Sequence, residues 1–142
     1  MKEYVVDASV AAKWFFDEPH AVVARRLLSD SFSLHAPDFF LLEMDNLFCK
    51  RIRRGEITVK DGNDARAILR AGPIQFYPIT PVRDMAYRIA IQSRRSIYDC
   101  IYVALAVLLN ATMVTADRRL YEAISAGPLG GYAAWVADIR NT

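Results

Sequence analysis

Residues 3–18 read EYVVDASVAAKWFFDE, and the order of residue types in this stretch decides the architecture. Tyr4, Val5 and Val6 form a short apolar run bounded by Asp-Ala-Ser, which predicts a buried strand. Val10 to Phe16 forms a second apolar run, and Ser9 stands where a helix over it needs an N-cap. Asp7 lies between the two. A carboxylate is costly to bury unpaired, so an acid wedged between two core-forming segments requires a partner.

The alternation continues outward from this stretch. A helix is predicted to about residue 28, with Val22, Val23, Leu27 and Leu28 on one side. Residues 33–36 read as a second strand. Pro37-Asp38 then opens a helix to about Arg53, stopped by Gly55, and Thr58 starts another that ends near Gly72-Pro73. Residues 75–78 read as a third strand, Thr80-Pro81 caps a helix to about Arg94, and residues 96–109 make the most hydrophobic helix of the chain. Residues 111–115 read as a fourth strand, residues 118–125 as a helix, 127–131 as a loop and 132–136 as a fifth strand. Strands alternating with helices call for a parallel sheet covered on both faces. Such sheets bind ligands at the carboxyl ends of their strands. Asp7 follows the first strand and Asp117 the fourth, so both are expected on that rim.

A chain of 142 residues is expected to form one domain, residues 1–142, with one core. Its composition, 54% hydrophobic and 24% charged, is that of a soluble globular protein rather than a disordered one. A formal charge of +2 is compatible with a polyanionic partner without requiring one. The arginines are clustered: Arg51, Arg53 and Arg54; Arg94 and Arg95; Arg118 and Arg119. Each cluster suits a solvated helix end. Cys49 and Cys100 sit inside hydrophobic patterns and are expected to be buried free thiols, because no metal-binding or disulfide spacing is present. Glu3, Asp7 and Lys13 interrupt the N-terminus, against a secretory signal, and no apolar run reaches membrane-span length. A cytoplasmic protein with no membrane contact is expected.

Four acids stand in apolar surroundings. Asp117, in TMVTADRRL (112–120), repeats the arrangement around Asp7; taken singly, either also suits a helix N-cap. Asp99, in SIYDCIYVALAVLLN (96–110), lies in the first turn of a helix with almost no polar face, where Ser96 is the better cap. Glu43, in FFLLEMDNLF (39–48), follows four apolar residues among which Phe39, Phe40 and Leu42 are expected to be buried; alone, it could equally face solvent. Gathered without a counter-ion, four carboxylates would repel and raise one another's pKa values. An oxygen-only site with no His or Cys suits Mg²⁺ or Mn²⁺, and such an ion is the expected partner of Asp7.

The segments VVDASV (5–10), LLEMDN (41–46), YDCIYVALA (98–106) and VTADRRL (114–120), in this order and spacing, resemble the PIN-domain ribonucleases. The resemblance spans essentially the whole chain and is strongest to the VapC-type toxins of bacterial and archaeal toxin–antitoxin pairs. It implies a three-layer α/β/α PIN-like fold with a mostly parallel sheet of four or five strands. It also implies a Mg²⁺- or Mn²⁺-dependent endoribonuclease whose acidic quartet falls on Asp7, Glu43, Asp99 and Asp117. Ser9 and Thr115 match hydroxyl residues that line such pockets, and Asn46 matches a polar position one helical turn from Glu43. Asp45 stands where a small apolar residue is more usual and is expected to point away from the metal. Cys100 replaces a common Ala.

On this reading Asp7, Glu43 and Asp99 hold the metal, and Asp117 binds it directly, through water, or at a second ion. Arg94, Arg95, Arg118 and Arg119 are placed to hold RNA phosphates flanking the cut. The implied partners are an RNA substrate, a cognate antitoxin and a second copy of the chain. A haloacid-dehalogenase-type phosphatase needs an Asp where Ser9 stands. A response-regulator receiver needs an adjacent acidic pair and a late Lys that this chain lacks. The alternative of another class is a catalytically silent PIN-like module that binds RNA or protein.

Overall fold

Five short strands order this chain, the central ones buried over most of their length and the edge strands only half-buried. In the computed structural model, which describes residues 1–140, β1 (Lys2–Val6), β2 (Phe32–Pro37), β3 (Ile74–Tyr77), β4 (Thr112–Thr115) and β5 (Ala133–Trp135) form one sheet. Its order is β3-β2-β1-β4-β5 and every neighbouring pair is parallel. Seven α-helices are present among the described residues: α1 (Ala8–Ala11), α2 (Ala21–Arg26), α3 (Phe40–Arg53), α4 (Val59–Ala71), α5 (Arg83–Ser93), α6 (Ile97–Leu109) and α7 (Arg118–Ser125). Sheet and helices make the expected three-layer α/β/α arrangement.

The chain winds outward from β1 to β2 and β3, then returns to place β4 on the other side of β1. Connections leave β1 and β4 in opposite directions across the sheet, and such a reversal opens a crevice beyond the carboxyl ends of the two strands. Tyr4, Val5 and Val6 are buried, as a central parallel strand demands. Helix α6 packs against β1, β2 and β4 and is buried continuously over residues 100–106, so its apolar sequence has no solvent face to supply there. The Ser96 hydroxyl accepts the Asp99 N–H at 3.1 Å and fixes where α6 begins. The helix ends on Asn110 in the left-handed conformation. Gly55, with φ 72°, terminates α3.

Several expectations are corrected. The first helix spans only Ala8–Ala11 and tightens into a 3₁₀ turn over Ala12–Trp14. Its N-cap position is Asp7, not Ser9, because the Ser9 hydroxyl is turned back onto the Asp7 carboxylate. Helix α2 ends at Arg26, short of residue 28. Leu42 is 70% exposed and Cys49 is exposed, against the expectation that both are buried. On α3 the core is served by Phe40, Met44 and Phe48, at steps of four. Leu42 and Cys49, seven apart, share the opposite face with Asn46. Lys13 is buried and paired with Glu18 at 3.3 Å; Glu18 also takes Arg51 of α3 at 2.8 Å, tying the segment after α1 to that helix.

Candidate active site

Two strand exits and two helices deliver the four acids. The Asp7 N–H donates to the Val114 carbonyl at 3.1 Å, extending the β1–β4 ladder by one step and fixing where its side chain emerges. Asp7 Oδ2 accepts two hydroxyl hydrogen bonds, from Ser9 at 2.7 Å and from Thr115 at 2.8 Å. Ser9 Oγ also accepts the Ala116 N–H at 3.0 Å, and Thr115 Oγ1 accepts the Asp117 N–H at 3.0 Å. These bonds lock the exits of β1 and β4 to each other, so Asp7 and Asp117 are positioned by one network. Asp117 itself caps α7: its Oδ1 accepts the N–H groups of Arg119 and Leu120.

Glu43 reaches the same region from α3 and Asp99 from α6. Tyr102, one turn after Asp99 and buried, donates its hydroxyl to Glu43 Oε1 at 2.5 Å. Burial and the nearby charges of Asp7 and Glu43 push the Tyr102 phenol well above its ordinary pKa, so it stays a donor. Sequence reading treats Tyr102 only as a neighbour of Asp99. The available signal is a phenol on a helix with no polar face, since a buried tyrosine hydroxyl requires a partner.

The electrostatics join the four acids. Asp7 is 7% exposed, and burial pushes its carboxyl up to about 6; the repulsion of Asp99 and Asp117 adds to this, and the two hydroxyls offset it in part. Glu43 is raised by burial and by Asp7 and Asp99, against the opposing pull of Tyr102. Asp99 is raised chiefly by burial and also by Asp117, with Arg95 pulling the other way. Each acid therefore lies in the field of at least two others. Among the described residues, no hydrogen bond occupies Asp7 Oδ1, Glu43 Oε2 or Asp99 Oδ1. These hard oxygens in a field of like charge fit a divalent cation that keeps some of its waters. No three His, Cys, Asp or Glu side chains among the described residues are arranged as a ready-made cage.

The arginines separate in space. Arg95, only partly exposed, turns back toward the acids: its Nη2 lies 3.5 Å from Asp99 Oδ2 and 3.8 Å from Asp117 Oδ2. Arg118 pairs with Glu122 at 3.1 Å and lies over the Trp135 ring, 4.9 Å from its centre. Arg94 and Arg119 are exposed and form no ion pair among the described residues. Asp45 is drawn away from the cluster by a two-pronged pair with Arg66, at 2.6 and 3.2 Å. Asn46 is exposed and, with Phe39, Leu42, Glu43, Tyr98 and Ile101, lines a mostly apolar groove of roughly 660 Å³ between α3 and α6.

A parallel sheet carrying acids at its reversal point, together with these sequence segments, defines a class, and comparison with known proteins agrees. The PIN-domain family model matches residues 4–124. Ribonuclease VapC12 of Mycobacterium tuberculosis is 31% identical over 119 residues, covering 83% of this chain and 89% of that protein. Among solved structures, PAE2754 from Pyrobaculum aerophilum superposes with a TM-score of 0.67 at 21% identity, covering 96% of this chain and 90% of that one. VapBC2 from Rickettsia felis, bound to a DNA fragment from its promoter, superposes with a TM-score of 0.65 at 14% identity, covering 94% and 98%. The chain belongs to the PIN-domain family and, within it, to the VapC ribonucleases.

Proposed function

We propose that this chain is a divalent-metal-dependent endoribonuclease, the toxin of a toxin–antitoxin pair, acting in the cytoplasm as a single nuclease domain. The observation that carries the reading is the mutual electrostatic coupling of Asp7, Glu43, Asp99 and Asp117 at one end of the sheet, with Asp7 held near 6. Among the described residues no helix is long and apolar enough to cross a membrane.

A bound Mg²⁺ or Mn²⁺ supplies charge neutralisation at the scissile phosphate and a water acidified enough to attack it. Asp7, Glu43 and Asp99 would hold the ion through their uncommitted oxygens. Ser9 and Thr115 orient Asp7, and Tyr102 orients Glu43. Asp117, half committed to capping α7, contributes its remaining oxygen. The test is cleavage of an unstructured RNA by the purified protein, expected to stop in EDTA and to return with excess Mg²⁺ or Mn²⁺. Cleavage that continues in EDTA overturns the reading; metal binding without any cleavage favours the silent module.

RNA phosphates are held by the cations left exposed, Arg94 and Arg119, with Arg118 contributing from the edge of its stacked site. Replacing Arg94 and Arg119 by Gln should flatten the slope of log affinity against log salt by about 1.4, two single-strand phosphate contacts' worth. An unchanged slope removes both from the interface. The apolar groove beside Glu43 and the exposed Leu42 and Tyr98 at its rim suit the antitoxin and a second copy of this chain. A monomer by light scattering at micromolar concentration would remove the homodimer.

A further inference from the structure

The cation that stands among the acids is part of the chain. Arg95 comes immediately before the Ser96 cap of α6, at the positive end of that helix, where the macrodipole disfavours a guanidinium. It stays because Asp99 and Asp117 hold it. The hold is loose: both contacts exceed ordinary charge-assisted hydrogen-bond lengths. Its Nε is fully buried and has no acceptor among the described residues. A guanidinium with an unmet buried donor, two long ion pairs and an adverse helix dipole is poorly satisfied where it lies.

Its place is nevertheless specific. Asp117 Oδ1 is committed to the α7 cap, so Arg95 faces the oxygen that remains, Oδ2. On Asp99 it faces Oδ2. Of the two, Asp117 Oδ2 is the oxygen a divalent ion needs if Asp117 is to share in binding it, while Asp99 offers its Oδ1 from the same carboxylate. The arginine and the ion therefore compete for the same carboxylates, and repulsion between a guanidinium and a divalent cation keeps both from being held closely there.

We propose that Arg95 is an internal, displaceable counter-ion of the acidic pocket, holding Asp99 and Asp117 in the metal-free protein and swinging out when a divalent cation binds. This rests on the reading of the four acids as a metal site. Arg95 is a positioning residue: it tunes how tightly the ion is held and keeps the empty pocket from being pushed apart by its own charge.

Arg95→Met keeps the unbranched stem as far as the position of Nε and removes the charged guanidinium. By calorimetric titration with Mn²⁺, this variant should bind about tenfold tighter than the wild type, since a positive charge has left the site. In EDTA at neutral pH it should melt below the wild type, and saturating Mn²⁺ should close that gap. Unchanged or weaker Mn²⁺ binding overturns the proposal, as does a melting deficit of equal size with and without the ion, the mark of packing alone. Weaker RNA binding at unchanged Mn²⁺ affinity also overturns it, since Arg95 would then be a phosphate contact. The wild type provides a test that does not depend on the variant folding. The Arg95 Nε–H resonance, sheltered in the metal-free protein, should shift or broaden as Mg²⁺ saturates; a resonance that stays in place overturns the proposal. Asp7→Asn serves as the control for the underlying reading: if it binds Mn²⁺ as the wild type does, the metal site itself is misplaced, whatever Arg95 does.

Discussion

Asp7→Asn yields a folded protein that melts higher than the wild type in EDTA and no longer cuts RNA. Both halves of this result follow from burial. The Asp7 carboxyl is raised from 3.8 to about 6, so between these values the folded protein holds a proton that the unfolded chain has released. Stability of the metal-free protein therefore falls as pH rises through this window, and the full penalty, about 3 kcal/mol, is present above it. Asn removes that penalty and keeps an oxygen to accept from Ser9 and Thr115. Its amide hydrogens need acceptors in a buried place, which lowers the net gain to about 1–2 kcal/mol. Cleavage should drop by more than about 100-fold, because even residues that only support a metal ligand are worth 10–100-fold. Melting curves in EDTA at pH 4.5 and 7.5 check the first half. The advantage of the variant should be present at 7.5 and shrink at 4.5; an Asn variant less stable than the wild type at both would mean that Asp7 is ionised at little cost.

Tyr102→Phe tests the other end of the pocket. The ring is packed edge-on against Phe39, with centroids 5.4 Å apart, and that contact survives loss of the hydroxyl. What is lost is the one donor on Glu43 Oε1. Glu43 is then free to rotate and is raised further by its surroundings, so Mn²⁺ affinity and cleavage should both fall by about 10–100-fold, with a stability change near 1 kcal/mol. Wild-type cleavage by the variant would show that Glu43 needs no orienting.

The layout of the sheet was legible because strand and helix signals alternate without interruption. Val5 and Val6 can only be a buried strand, and Ser96 can only be a cap for the apolar run behind it. The four acids were legible as a set because all stand in apolar surroundings, although two of them, Asp7 and Asp117, also suit a helix cap and Glu43 alone could face solvent. What escaped depends on partners distant in sequence. The local sequence reads Ser9 as a helix cap; only the family resemblance put it with Thr115 in the pocket, and the structure sets Thr115, 106 residues away, beside it with both hydroxyls on Asp7. Leu42 and Cys49 read as core until α3 turns Phe40, Met44 and Phe48 inward instead. Arg95 reads as one of a surface pair; only the return of β4 beside β1 brings Asp117 within its reach. Asp45 was expected to point away from the acids, and its pair with Arg66 of α4 accounts for that direction.

The adjacency of β1 and β4 also bears on the order in which the molecule is made. Asp7 and Asp117 lie far apart in the sequence, and their carboxylates come together only when the fourth strand closes against the first. Contacts so far apart along the chain form late in folding. A chain whose fourth strand has not yet docked therefore carries only half a pocket, and the chemistry of the four acids waits on that one long-range closure.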